Sequence, residues 1–408
     1  FPYTTLFRSS LTTAEAANVR ELLEEREQIC PIPQDEYQEF ARLTARATSV
    51  WARAKKDQDF EAFAPTLEKV IGFQKKFAGY RAKDGKKLYD VMLDDYEKGF
   101  SMENLDRFFS VLKKQLVPFL KKVMEEGKKI EDSFLKGDYP EEKQEELGRF
   151  LAEYVGFDFD RGVMAVSAHP FTTNLHNKDV RITTRYNEND LLSALFGVIH
   201  ETGHARYEQN LPRPWVDQPV GLARSTAIHE SQSLFFEMQL ARHPAFLRKM
   251  APLIKQHFGE QPALEAENLI QLYSRIEPGF IRVDADELTY PAHIIMRFEI
   301  EQALIEEKIQ VRDLPEVWNT KMQQYLGLST KGNDAIGCMQ DIHWTDGSFG
   351  YFPSYTLGAI YAAQFAGAIE RDVGNIGELI AADDGLPQIF HWLKTNVWEK
   401  ASLLSTDE

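Results

Sequence analysis

Cysteine is nearly absent from this chain: Cys30 and Cys338 are the only two in 408 residues. Two thiols cannot build a disulfide framework, neither has metal-ligand spacing, and both are compatible with a reducing compartment. Long apolar runs are missing as well, so no stretch of eighteen residues can span a bilayer as a helix. Cations are in deficit, with 47 Lys and Arg against 63 Asp and Glu and a net charge of −16. That balance argues against nucleic acid and anionic membranes as partners, because both are bound through basic surface. Any anionic group on a ligand must then be met by local cations. What remains, 43% hydrophobic and 27% charged, fits a large soluble enzyme, expected in the cytoplasm.

Repeats and linkers are also lacking, and helical periodicity dominates. Residues 36–55, 60–79, 102–126 and 141–155 read as amphipathic helices, with Ser101 placed to cap the third. The texture changes between residues 157 and 187. Gly162, Pro170 and the alternation Val180-Arg181-Ile182-Thr183-Thr184-Arg185-Tyr186 predict a short strand and its loops. A further helix follows. Asn189 or Asp190 can cap it, Leu191, Leu192, Leu195, Val198 and Ile199 give it an apolar face, and Pro212 ends it. The expected fold is mainly α: a single large helical domain with a deep groove and a small β-sheet beside this helix.

That helix carries His200-Glu201-Thr202-Gly203-His204. Four-residue spacing on a helix puts both imidazoles on one face with a carboxylate between them, which is half a zinc site plus a general base. Zinc would lower the pKa of its water to roughly 7, and Glu201, which is not a ligand, can take the proton. A catalytic zinc needs a third protein ligand. The metzincin continuation is excluded, because Tyr207 and Asn210 stand where its glycine and histidine belong. Downstream, Ala227-Ile228-His229-Glu230-Ser231-Gln232-Ser233 opens a second apolar-periodic segment. Glu230 is the best third ligand there, although a glutamate stabilised by a helix N-terminus explains it equally well on spacing alone. Glu237, further along the same segment, is the alternative carboxylate. Leu234 occupies the position at which thermolysin-like chains carry an Asp, which disfavours that subclass.

These motifs belong to an ordered series. With His169-Pro170-Phe171, Asp179-Val180-Arg181-Ile182-Thr183, His229-Glu230-Ser231-Gln232, Ile281-Arg282-Val283-Asp284-Ala285-Asp286 and Gly337-Cys338-Met339-Gln340-Asp341-Ile342-His343-Trp344, the chain resembles the thermostable carboxypeptidase (carboxypeptidase Taq) family of gluzincins, whose architecture is neurolysin-like. The resemblance implies a zinc metallocarboxypeptidase with ligands His200, His204 and Glu230, Co2+ as a substitute ion, broad specificity for peptides with a free C-terminus, and a homodimer. It also implies a strand beside the zinc helix whose free backbone groups can pair with an extended peptide.

Among Tyr351 and Tyr355, the first is favoured as a donor to the oxyanion and the second as a substrate contact; His343, inside its motif, is a further candidate for substrate or oxyanion. Arg181 and Arg282 are the candidates for gripping the α-carboxylate, since a guanidinium fork matches it. For each, a structural ion pair is the competing reading: Asp179 can orient Arg181, and Arg282 precedes Asp284, Asp286 and Glu287. Residues 1–9 do not resemble the family and read as a non-native leader, leaving residues 10–408 as a catalytic domain without its first helices and last segment. Two rival readings share these residues: a zinc oligopeptidase or endopeptidase with the same core, and a truncated, inactive helical binding protein. The latter is expected to lose Glu201 or a ligand, and none is lost.

Overall fold

The computed structural model describes residues 11–127, 130, 137–167 and 169–408; the leader assigned to residues 1–9 lies outside them. Helices dominate, with one three-stranded sheet, as the sequence implies. Within this fold, the chain gathers into two compact units. Among the described residues, one unit lies within Phe1–Leu22, Lys129–Arg275 and Leu357–Glu408, the other within Leu23–Lys128 and Ile276–Thr356. Both are assembled from segments far apart in sequence, so no linker composition marks the division.

In the second unit, helices Gln34–Asp57, Phe60–Arg81 and Met102–Glu126 match the periodic segments within a few residues. Ser101 caps the last of these, its hydroxyl accepting from the Asn104 amide at 3.2 Å. The core holds Phe63, Leu67, Trp318 and Phe298, whose ring packs against Phe109 at 5.0 Å and Tyr89 at 5.9 Å. Phe298 sits on helix Tyr290–Ile305, which is buried along most of its length, and that helix takes His293, Arg297 and Glu301 inside with it.

The first unit is organised around helix Leu191–Asn210, packed with helices Glu141–Tyr154 and Thr226–Leu234. Leu195, Ile199, Phe235, Leu240, Met250 and Ile389 belong to its core. Beside the long helix lie β1 (Gly162–Val166), β2 (Thr172–His176) and β3 (Asp179–Thr184), in the order β1-β3-β2. β3 pairs in parallel with β1 and antiparallel with β2, with an irregularity between Asn174 and His176. Its alternation has a clear cause. Val180 and Ile182 are buried against Val198 and Ala205 of the long helix, whereas Arg181 points to the opposite, exposed face. Burying two such side chains is worth roughly 1.5–3 kcal/mol each, enough to seat the sheet firmly on the helix. Among the described residues, no helix is long and apolar enough to cross a membrane.

Candidate metal centre

Asp190, not Asn189, caps helix Leu191–Asn210: its carboxylate accepts from the amides of Leu192 at 3.1 Å and Ser193 at 3.2 Å. The register that follows brings His200 and His204 onto one face with ring centroids 5.1 Å apart. The helix is buried on more than the one apolar face read from its sequence, because the sheet and neighbouring helices pack around it. Ser225 caps helix Thr226–Leu234 by accepting from the Ile228 amide at 3.1 Å, and this helix delivers Glu230. His200 Nε2 lies 4.0 Å from Glu230 Oε1, and His204 Nε2 lies 3.6 Å from Glu230 Oε2.

These are not hydrogen bonds; they are the spacings of a donor set. Ligand atoms placed about 2.0–2.2 Å from one ion on a tetrahedron stand roughly 3.4 Å from each other. One atom each from His200, His204 and Glu230 lies within 4.8 Å of the others. A buried carboxylate facing two imidazole nitrogens at these distances fits a divalent cation with nitrogen and oxygen ligands, zinc foremost.

The outer nitrogen of His200 is also engaged. Its Nδ1 lies 2.9 Å from Glu237 Oε2, and Arg242 Nη2 donates to Glu237 Oε1 at 2.6 Å. Helix Thr226–Leu234 runs on into a π-helical stretch, Phe235–Ala241, that carries Glu237. Glu230 and Glu237 thus bracket one imidazole from its two nitrogens, and Glu237 takes the outer place rather than the ligand place. Burial alone would raise its pKa, but the charge of Arg242 and the bond from His200 hold it down to about 2.

Glu201 is 7% exposed, and its Oε2 lies 2.5 Å from Thr172 Oγ1 on β2, which leaves the other carboxylate oxygen unengaged by that contact. Burial raises its pKa. Two glycines let the ligand-bearing elements close up. A β-carbon on Gly203 would stand 2.6 Å from Gln232 O and 2.7 Å from Ser233 Cα. One on Gly358 would stand 2.8 and 2.9 Å from Glu230 Cβ and Cγ. Gly358→Ala should therefore displace Glu230 and weaken zinc binding by about 10–100-fold, the range seen when a ligand loses its support. Chelator competition reads the affinity and circular dichroism the helix content; unchanged affinity would mean that the methyl is absorbed elsewhere.

The second unit gathers the remaining candidates except Arg181. Arg282, 5% exposed, gives Nε and Nη2 to Asp341 Oδ1 at 3.1 and 3.0 Å and Nη1 to the Tyr290 hydroxyl at 3.1 Å. Arg297 Nε donates to Glu301 Oε1 at 2.7 Å, and its guanidinium lies 3.2 Å from the Trp344 ring centroid. Glu301 in turn accepts from the Gly350 amide at 2.9 Å, fixing the chain just before Tyr351. The Tyr355 hydroxyl lies 3.4 Å from His343 Nε2, and the Tyr351 ring lies 5.4 Å from that imidazole. Burial, only partly offset by Asp341, pushes His343 down to about 3, so its ring is neutral at neutral pH.

Arg282 is paired with Asp341, not with its sequence neighbours; Asp286 instead accepts from the amides of Leu288 and Thr289. Arg181 forms an exposed, bidentate pair with Asp179 on the face of β3 turned away from the helix that carries His200 and His204, so the fold does not bring it to that cluster. Thr172 and Arg242 escaped the sequence reading. Thr172 reaches Glu201 29 residues on, and Arg242, five residues from Glu237, bears on the site only because Glu237 meets His200 37 residues away, so fold-level pairing is what reveals both.

A helical fold with an H-E-x-x-H helix, a carboxylate from the next helix on the metal side and a buried glutamate beside them defines a metallopeptidase. The chain belongs to the Carboxypeptidase Taq (M32) metallopeptidase family, whose model matches residues 5–408. It is 41% identical to Carboxypeptidase 1 of Bacillus subtilis (strain 168) over 370 residues, which cover 90% of this chain and 73% of that one. It is 36% identical to Thermostable carboxypeptidase 1 of Pyrococcus furiosus over 378 residues, 92% of this chain and 75% of that one. Among solved structures, Trypanosoma cruzi Metallocarboxypeptidase 1 superposes with a TM-score of 0.93 at 41% identity, covering 98% of this chain and 80% of the other. The family and these relatives are peptide hydrolases of the metallocarboxypeptidase type.

Proposed function

We propose that this protein is a zinc-dependent carboxypeptidase that removes C-terminal residues from peptides with broad side-chain tolerance. The observation that carries the reading is the approach of His200, His204 and Glu230 to within 4.8 Å with Glu201 buried on the same helical turn. A bound zinc ion supplies Lewis acidity and makes water acidic near neutrality. Glu201 accepts the proton of the attacking water on the oxygen that Thr172 does not engage, then returns it to the leaving amine. Tyr351 and the neutral imidazole of His343 are assigned the developing oxyanion, and Tyr355 the substrate. Arg282, desolvated and held in place by Asp341, is the first choice for the α-carboxylate, with Arg181 the second. The protein is proposed to act in the cytoplasm, on the strength of its composition and its two cysteines, and as a homodimer, on the strength of its family membership. Its net charge of −16 supports a partner list without nucleic acid or membranes.

The test is digestion of paired peptides that differ only in a free or amidated C-terminus. Chelation should abolish release of the terminal residue, zinc or Co2+ should restore it, and the amidated peptide should be cut poorly. Arg282→Lys keeps a cation opposite buried Asp341 but loses the fork. It should lower kcat/KM on the free-ended peptide by roughly 10–150-fold, the equivalent of a charge-assisted pair worth about 1.5–3 kcal/mol, and barely change the amidated one. Arg181→Ala is assayed alongside. Equal cleavage of both peptides by the parent would replace this reading with the endopeptidase one.

A further inference from the structure

His204, the second candidate ligand, is held by a residue with no role so far. Its Nδ1 lies 2.6 Å from Nδ1 of His229, and His229 Nε2 lies 2.8 Å from Glu208 Oε1. The other oxygen of Glu208 accepts from the Asn174 side chain on β2. We propose that His229 is a positioning residue: a neutral imidazole relay that fixes the tautomer and ring orientation of His204 for metal binding. The proposal rests on the zinc-site reading above.

The proton count leaves one arrangement. His204 Nε2 is the nitrogen facing Glu230, so when it holds a cation the only proton on that ring is on Nδ1. That N–H points at His229 Nδ1, which must then be the bare, accepting nitrogen. The proton of His229 is consequently on Nε2, and it points at Glu208, an acceptor only. Glu208 has its second oxygen filled by Asn174, which can only donate there. Each N–H has one acceptor and no two donors face each other, so the chain from ligand to strand is closed without conflict.

The two ligand histidines are thereby anchored by different chemistry. His200 leans directly on a carboxylate, Glu237, whose charge Arg242 shares. His204 leans on a neutral ring, with its carboxylate one imidazole further out. The cluster already contains Glu201, Glu230 and Glu237. A relay orients His204 without bringing a fourth negative charge against the ligands. Asn174 also extends the support of the ligand from the helices into the sheet.

The experiment measures zinc affinity by competition with a chromogenic chelator, on the full chain, for the parent and for H229A, H229N and H229Q, with calorimetric melting of each metal-free protein. Asparagine places its amide oxygen near the position of Nδ1 and can accept from His204; glutamine reaches only the position of Nε2. H229A should bind zinc about 10–100-fold more weakly than the parent, H229N should recover to within about threefold, and H229Q should not. The metal-free melting of H229N and H229Q should coincide. Should H229A fail to fold, the contrast between H229N and H229Q decides. Equal affinities for those two, high or low, overturn the proposal, as does parental affinity in H229A. A parent that takes up no stoichiometric zinc would remove the zinc-site reading and the relay together, an outcome distinct from loss of the relay alone.

Discussion

Glu201→Gln is expected to keep one zinc per chain while peptide hydrolysis falls by about 10²–10⁴-fold, the usual contribution of a general base. The amide has the same shape and still offers an oxygen to Thr172 Oγ1, so packing beside β2 survives. The variant loses a lone pair basic enough to take a proton from water. In the parent, burial raises the affinity of this carboxylate for a proton. Metal content measured on the purified variant, beside initial rates on a free-ended peptide, separates binding from chemistry. Hydrolysis retained above about a hundredth of the parental rate would reject Glu201 as the base. A loss of metal along with rate would mean that the carboxylate supports the ligands instead.

The parts of this site that were legible in the sequence are those fixed by local periodicity. Helical spacing places His200 and His204 on one face, and Asp190 and Ser101 cap for the same local reason, a short polar acceptor ahead of bare amides. The buried Val180 and Ile182 show through as alternation, whereas β1 and β2 carry too little alternation to announce themselves. What stayed hidden depends on distant partners. Glu230 and Glu237 lie seven residues apart on one face of continuous helical chain, so spacing cannot choose between them. The choice is made by which nitrogen of His200 each one meets. Arg282 has three acidic neighbours in sequence, yet its partner is Asp341, 59 residues on. The two units interleave, with the chain leaving the first at Leu22 and again at Arg275, so no compositional break betrays them.

Replacing Glu230 by alanine should have the largest effect on the metal. Two imidazoles on one helix then stand alone, and zinc affinity should fall by more than the roughly 10–100-fold that loss of an outer partner costs. Activity at trace zinc should vanish and return in part with excess zinc. Stability should move differently in the two forms. In the metal-free chain Glu230 is a buried carboxylate whose pKa is raised, chiefly by burial. Its charged form therefore opposes folding, and metal-free Glu230→Ala should melt no lower than the metal-free parent. With zinc present, the parent gains the stabilisation that binding to the folded state confers, which grows with the logarithm of zinc over its dissociation constant; the variant should gain far less. Glu237→Ala is the matched control. It removes the outer partner of His200, leaves three ligands, and should bind more weakly than the parent but more tightly than Glu230→Ala. If the order of the two variants is reversed, Glu237 is the ligand and Glu230 its support, and the assignment of inner and outer nitrogens on His200 must be exchanged.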